Sequence, residues 1–360
     1  MKDSHGQKLS ALCAAALLAL GGSLMVLRAV ADPAPSRNQA SLIALGKQLF
    51  FDVRLSADGK NSCATCHRPE HFYTDNRIVA RGVFGLAGTR NTPSLLNMPE
   101  AGALFWDGRR EKLEEAVLDP LAHPRELAFS DDAALDAVMR SPTYGKSMAD
   151  AFGAKADASE WRPRIGLALA TYLRSLPRPE STFDRYQAAN NSLAFSQQAR
   201  EGLRIFSGKA GCASCHRIEG SPARFTDDRF HATGTGLQKV ARNLPALTSQ
   251  AAAIATDGAT VGREIAAHAD LATTGRFMVT HQPSDVGLFR TPSLRYVAQT
   301  APYMHDGSVA TLEDAVDQEV YWRGLSSGHP VSLTVSERQA LIMFLRSLSP
   351  DSPAAKPAVR

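Results

Sequence analysis

The chain contains 360 residues, of which 44% are hydrophobic and 21% are charged. This length and composition are typical of a soluble protein with two or three domains, and they exclude fibrous, disordered and polytopic membrane proteins. The formal net charge is +4. Without the first 31 residues, 37 basic and 35 acidic residues remain, and this net charge of +2 argues against nucleic-acid binding.

Residues 1–31 have the pattern of a secretory signal peptide. Two early lysines precede an apolar run over residues 9–27, and Ala29-Val30-Ala31 forms a small-x-small cleavage site. The apolar run is also long enough for an uncleaved membrane anchor, and this alternative stays open. In either case we expect the folded part of the chain to lie outside the cytoplasm, in the periplasm.

The four cysteines after this segment occur in two copies of one motif. The copies are Cys63-Ala64-Thr65-Cys66-His67 and Cys212-Ala213-Ser214-Cys215-His216. In c-type haem attachment the two thiols form thioethers with the haem and the adjacent His binds iron. A disulfide framework, a zinc site and a thioredoxin-like redox pair also use Cys-x-x-Cys spacing. The His that follows each copy, and the lack of any further Cys after residue 31, favour two covalently bound c-type haems.

Several other segments recur at a constant offset of 199 residues, which predicts an internal duplication. The recurring pairs are Thr92-Pro93-Ser94-Leu95 with Thr291-Pro292-Ser293-Leu294, Asp107-Gly108 with Asp306-Gly307, and Leu113-Glu114-Glu115-Ala116-Val117 with Leu312-Glu313-Asp314-Ala315-Val316. The second half has 50 more residues between its haem-binding His and its Thr-Pro-Ser-Leu segment. Each half therefore has the same landmarks in the same order.

Apolar residues at helical spacing predict helices over residues 42–51, 162–176, 199–206 and 336–348. The stretches between them are rich in Gly, Pro, Asn and Asp and show little period-two alternation. We therefore predict a mostly α fold with long loops and little sheet, made of two cytochrome c-like haem domains. The predicted domains cover residues 40–178 and 196–350, with a linker over 179–195 and a disordered tail over 351–360.

Taken together, the two haem motifs and three further segments identify a family resemblance. These segments are Phe105-Trp106-Asp107-Gly108-Arg109, residues 120–126, and Pro302-Tyr303-Met304-His305-Asp306-Gly307. With them, residues 42–348 resemble the bacterial di-haem cytochrome c peroxidase and MauG superfamily. Residues 118–124 and 319–324 look most like its methanobactin-associated di-haem (MbnH-type) branch. The resemblance implies a haem peroxidase-type oxidoreductase with hydrogen peroxide as the oxidant.

The resemblance also implies which residues surround haem 1, the peroxidatic haem. His67 is its proximal ligand, and Glu126 matches the acid-base carboxylate on the distal face. In the peroxidases a His often caps the resting haem 1, but the matching position here is Val83, so we expect haem 1 to stay five-coordinate and open to peroxide. Trp106 matches the aromatic residue that relays electrons between the two haems.

For haem 2, the electron-transfer haem, His216 is the expected proximal ligand. Peroxidases place a Met shortly after the repeated Leu-Glu helix and MauG places a Tyr there, which makes Tyr321 the leading candidate for the sixth ligand. Met304 is the alternative, and Met278 and His281 stay open.

The resemblance further implies a calcium site between the predicted domains. Asn91 and the backbone carbonyls of Thr300 and Pro302 match its ligands, and oxygen donors of this kind suit Ca²⁺. Away from these sites, His123, His231, His268 and His329 fall in polar loops and are expected to face solvent.

Three functions compete at this point. The first is a MauG-like enzyme, in which peroxide produces a high-valent two-haem state that oxidises an aromatic residue, expected to be Trp, on a partner protein. The second is a cytochrome c peroxidase that reduces peroxide to water with electrons from a small cytochrome or cupredoxin. The third is a non-catalytic electron-transfer protein, and an open haem 1 with Glu126 argues against it. The absence of a capping His and possible Tyr ligation favour the first function over the second.

Overall fold

The computed structural model describes residues 36–153, 158–189 and 195–350. The predicted signal peptide, the predicted tail over 351–360 and part of the predicted linker lie outside the described residues. Within the described ranges, no helix is both long and apolar enough to cross a lipid bilayer.

The described chain is mostly helical, which confirms the predicted fold class. The first eight helices are α1 (Arg37–Phe51), α2 (Cys63–Cys66), α3 (Leu113–Ala116), α4 (Asp119–Ala122), α5 (Asp132–Met139), α6 (Pro142–Phe152), α7 (Trp161–Arg174) and α8 (Thr182–Ala189). They are followed by α9 (Gln197–Ser207), α10 (Leu237–Val240), α11 (Leu244–Ala252), α12 (Gly258–Ala267), α13 (Ala269–Ala272), α14 (Phe277–Thr280), α15 (Leu312–Ser327) and α16 (Val335–Arg346). Two short strands, β1 (Phe230–Ala232) and β2 (Leu288–Arg290), pair antiparallel with His231 opposite Phe289.

Side-chain caps set where the long helices begin. The hydroxyl of Ser36 accepts from the backbone N–H of Gln39, so α1 begins five residues before the predicted helix. Ser196 caps α9 by accepting from the backbone N–H of Ala199, 3.0 Å away, as expected from its position. Such caps satisfy N–H groups that have no partner inside the helix and contribute about 1 kcal/mol each.

The same close helix crossing occurs in both halves of the chain. On α1, a Cβ added to Gly46 would lie 2.0 Å from the carbonyl oxygen of Ala168 on α7. On α9, a Cβ added to Gly202 would lie 2.0 Å from the carbonyl oxygen of Ala340 on α16. Only glycine permits backbones to approach this closely. This equivalence supports the duplication predicted from the sequence.

Buried apolar side chains form three clusters. The first packs α1, α6 and α7 and includes Tyr296 from the second half, whose ring lies 5.3 Å from that of Phe72. The second packs α9 against α16 and the start of α15. A third, smaller cluster lies in the extra residues of the second half and contains Met278, which is fully buried there among apolar side chains. The predicted domain boundaries stay a prediction.

Candidate haem sites and active site

Each haem-motif histidine is held by a backbone carbonyl on one side of its ring. The Nδ1 atom of His67 lies 3.0 Å from the carbonyl oxygen of Tyr73, and that of His216 lies 3.0 Å from the carbonyl oxygen of Phe225. A carbonyl oxygen only accepts, so Nδ1 carries the proton and Nε2 keeps its lone pair for iron. Burial lowers the pKa of His67 and lowers that of His216 to about 4, so both rings are neutral at pH 7.

The cysteines of the two motifs form no disulfide with one another. Burial raises the pKa of Cys63 and Cys66 to about 12 and that of Cys212 to about 11, because a thiolate is poorly solvated there. With a neutral Nε2 beside each pair of thiols, the two motifs fit c-type haem: the cysteines would hold the porphyrin and the histidines its iron.

A large cavity lies against the first motif. It encloses about 1470 Å³, counted with its mouth, and its wall is formed by Cys63, Cys66 and His67 together with Trp106 and Glu126. Most of its remaining lining is apolar. The structure therefore brings the predicted haem-attachment residues and the two predicted catalytic residues to one cavity.

The loop at the predicted capping position packs onto Glu126 through its backbone. The N–H of Val83 donates to the carbonyl oxygen of Glu126 at 2.9 Å, and Val83 itself is fully buried. A Cβ added to Gly82 would lie 2.1 Å from the carbonyl oxygen of Arg125, so the loop and the Glu126 turn are in direct contact. Residues 81–90 contain no His, and the next side chain, Phe84, is 70% exposed.

A second opening reaches Glu126 from the outside. It encloses about 740 Å³ with its mouth and is lined by charged side chains that include Arg110, Glu115 and Arg263. His123 and Glu126 line both this opening and the haem 1 cavity. The side chain of Glu126 thus lies between the outer opening and the haem 1 cavity.

His123 corrects one sequence expectation, because it is buried and does not face solvent. Its Nδ1 atom accepts from the backbone N–H of Arg125 at 3.3 Å, and its Nε2 atom lies 3.2 Å from the carbonyl oxygen of Gly262 on α12. These partners assign a neutral ring with the proton on Nε2. The Nδ1 atom also lies 3.6 Å from the Oε1 atom of Glu126. Burial by α12 is a long-range contact, and local sequence carries no signal for it.

Trp106 joins the two halves of the chain. Its indole Nε1–H donates to the carbonyl oxygen of Asn91 at 3.0 Å, and its own carbonyl oxygen accepts from the backbone N–H of Arg290 at 2.9 Å. These bonds hold the indole at the edge of the haem 1 cavity next to residues of the second half.

A second group at this junction was missed by the sequence analysis. His305, the repeat partner of Trp106, stacks on Phe289 with ring centroids 3.7 Å apart, and its Nδ1 atom accepts from Arg90 at 2.8 Å. Burial and the neighbouring Arg90 lower the pKa of His305 to about 3, so this ring is also neutral. Arg90 additionally donates to the carbonyl oxygen of Ala272.

Asn91 is linked to the loop that carries the other predicted calcium ligands. Its backbone N–H donates to the carbonyl oxygen of His305 at 2.9 Å, three residues after Pro302. Its side-chain Nδ2 donates to the carbonyl oxygen of Arg77 at 2.9 Å. Calcium binding by Asn91, Thr300 and Pro302 stays a prediction.

The ligand role of Tyr321 stays a prediction, and the orientation of α15 shows which of its residues share a face with the contact to the second haem motif. Arg323 donates to the hydroxyl of Ser214, 2.5 Å away, and so marks the helix face next to the second haem motif. Tyr321 lies two residues earlier, about 160° around the helix, and is 59% exposed beside Trp322. Glu319 is on the face of Arg323. Glu319, like Tyr321, is exposed at the surface of α15, so the phase of the helix and not burial distinguishes the two side chains.

Comparisons with known proteins agree with this arrangement. A profile of the di-haem cytochrome c peroxidase family matches residues 40–192. The methylamine utilization protein MauG of Methylorubrum extorquens is 34% identical over 320 residues, covering 87% of this chain and 79% of that protein. The cytochrome-c peroxidase IdrP1 of Pseudomonas sp. strain SCT is 34% identical over 349 residues, covering 89% and 84%.

Solved structures give the same result for the fold. The crystal structure of a MauG-like protein associated with microbial copper homeostasis aligns with a TM-score of 0.70 and 30% identity, covering 91% of this chain and 93% of that one. Membership of the family implies two c-type haems, as the sequence predicted. The chain therefore belongs to the family of di-haem cytochrome c peroxidases and MauG proteins, which are haem oxidoreductases that use hydrogen peroxide.

Proposed function

We propose that this protein uses hydrogen peroxide to oxidise an aromatic side chain, a tryptophan in the first instance, on a partner protein. The observation that carries the proposal is the route from solvent to Glu126 beside a loop without a capping His. An enzyme of this kind reacts with peroxide in its resting state. It does not first need an electron donor to release a ligand from haem 1.

In this proposal Cys63, Cys66 and His67 hold haem 1, and Cys212, Cys215 and His216 hold haem 2. When bound, two haems can accept the two oxidising equivalents of hydrogen peroxide and pass them on in one-electron steps. Every other part of the reaction falls to side chains of this chain.

Glu126 moves the proton in the first step. Its carboxylate accepts a proton from one oxygen of hydrogen peroxide and donates it to the other, so both protons end on the oxygen that leaves as water. His123 braces the turn that carries Glu126, because its Nδ1 atom accepts from the backbone N–H of Arg125 and its Nε2 atom donates to the carbonyl oxygen of Gly262. His123 is therefore a positioning residue for the Glu126 carboxyl.

Trp106 then connects the reaction to the partner protein. Its indole is held at the cavity by the carbonyl oxygen of Asn91 and, through its backbone, by Arg290 of the second half. An indole gives up single electrons readily, so this position suits a relay between the two haem sites and a docked substrate.

The place of action is part of the same proposal. The predicted signal peptide and thioether-bound haem both favour the periplasm, with a periplasmic protein as the substrate. Assignment to the methanobactin-associated branch rests on residues 118–124 and 319–324. A calcium ion bound at Asn91 would make the junction between the two halves more rigid.

Peroxide added to the resting holoprotein with candidate periplasmic partners tests the proposal. We expect rapid spectral oxidation without a reductant, followed by a mass change on one partner aromatic residue. The second candidate is a cytochrome c peroxidase, because the chain is as similar to the cytochrome-c peroxidase IdrP1 as to MauG, at 34% identity to each. Fast steady-state consumption of peroxide with reduced cytochrome c, and no modified partner, would support this second function instead.

A further inference from the structure

The second haem site differs from the first in the carboxylate on α15. We propose that Glu319, and not Tyr321, is the side chain opposite His216 and supplies the axial ligand of haem 2. This inference goes beyond the proposed function, because it depends only on haem attachment at Cys212 and Cys215.

The internal repeat identifies which face of α15 meets the second motif. In the first half, Leu113, Ala116, Val117 and Pro120 line the haem 1 cavity, at successive positions of one helical face. Their counterparts at the offset of 199 are Leu312, Ala315, Val316 and Glu319. Pro120, which has no ligating group, is thus replaced by a carboxylate in the second half.

The backbone supports the equivalence of Pro120 in the first half and Glu319 in the second. In the first half, Val117 and Leu118 keep right-handed helical dihedral angles between α3 and α4, so Pro120 stands in helical register with Leu113. In the second half, α15 runs without interruption from Leu312 to Ser327. Glu319 therefore has the same phase relative to Leu312 as Pro120 has to Leu113.

The contacts made by α15 agree with this rotational position of Glu319 around the helix. Leu312 and Val316 are buried in the second apolar cluster, next to Cys212, and Arg323 donates to Ser214 inside the motif. Residues 312, 316, 319 and 323 share one face because an α-helix turns about 100° per residue. Burial is the main cause of the raised pKa of Cys212, with smaller influences from Arg323, which lowers it, and Glu319, which raises it. Both charged groups are therefore near the thiol.

Tyr321 corresponds to a different position in the repeat. Its counterpart is Ala122, which lines the outer opening and does not line the haem 1 cavity. The counterpart of Glu126 is Leu325, which is 56% exposed. The carboxylate of Glu126 comes from a turn in the first half, whereas that of Glu319 comes from a helix in the second. An anionic oxygen donor at Glu319 would stabilise ferric iron, as a hard ligand does.

Spectroscopy of the resting holoprotein tests the inference. We would record the visible and EPR spectra of wild-type protein, Glu319→Gln and the matched control Tyr321→Phe, each with two haems confirmed by haem assay. The spectral component that changes in Glu126→Gln is assigned to haem 1. We expect Glu319→Gln to change the haem 2 component and to shift its ferric–ferrous equilibrium at least tenfold, about 59 mV for one electron. Tyr321→Phe should superimpose on the wild-type spectrum.

A change of haem 2 in Tyr321→Phe, with Glu319→Gln unchanged, would overturn the inference. Glu319→Met provides an independent check where Gln impairs folding, since a thioether at this position should produce a sulfur-to-iron charge-transfer band. A Glu319→Met protein with two haems and no such band would also overturn it. None of these spectra requires peroxide or a partner, so failure of the proposed function leaves them unaffected.

Discussion

Replacing Glu126 with Gln removes the group that carries the proton and leaves the size of the side chain almost unchanged. The backbone bond from Val83 to residue 126 persists, so both haems should remain attached. Among the described residues, Glu126 is the one carboxylate that lines both the haem 1 cavity and the outer opening. His123 cannot replace it, because its Nδ1 atom already accepts from Arg125.

A positioned acid-base group contributes about 10²- to 10⁴-fold to a rate. With no substitute base at the cavity, we expect Glu126→Gln to slow the reaction with peroxide about 10³-fold, or about 4 kcal/mol. Stopped-flow absorbance with excess peroxide measures this rate. Glu115→Gln is the matched control, since Glu115 lines only the outer opening and its rate should change less than about twofold. A Glu126→Gln rate within a few-fold of wild type would refute the proton-transfer role.

Four further results are expected. His123→Phe should slow the peroxide reaction by about tenfold, less than Glu126→Gln, because it removes the ring that positions the Glu126 turn and not the proton carrier; an unchanged stopped-flow rate would contradict this role. Trp106→Phe should keep the peroxide reaction but slow oxidation of the partner about tenfold, as followed by mass spectrometry. Gly46→Ala should lower the free energy of unfolding by about 3 kcal/mol, because its Cβ would strike a carbonyl oxygen, whereas Gly145→Ala meets no neighbour and should be neutral or stabilising in thermal melts. Burial alone would raise the pKa of Asp184, but its buried partner Arg295 and the backbone N–H of Ser181 together lower it by more than burial raises it. The net pKa is therefore depressed, and the ion pair stabilises the fold above about pH 4. Asp184→Asn should therefore lower the free energy of unfolding by about 3 kcal/mol at pH 7. The difference between wild type and variant should shrink as the pH falls below the pKa of the wild-type carboxyl.

Covalent chemistry and helical periodicity could be predicted from the sequence because both are local. The spacing of Cys63, Cys66 and His67 predicts a haem attachment site from five consecutive residues. Apolar periodicity located α1, α7, α9 and α16 to within five residues at each end, and Ser196 as a cap was confirmed. The close helix crossings at Gly46 and Gly202, which are 156 residues apart, were visible only in the structure.

Contacts between distant segments were decided only by the tertiary structure. His123 read as a loop residue, but α12, more than a hundred residues later, buries it against Glu126. Tyr321 matched a family pattern in one dimension, but the unbroken α15 places it on a different helix face from Arg323, which contacts the second motif. Residue type and spacing specify which groups can react. The rotation of a helix and the approach of remote loops decide which of them meet, because these depend on packing energies summed over the whole chain.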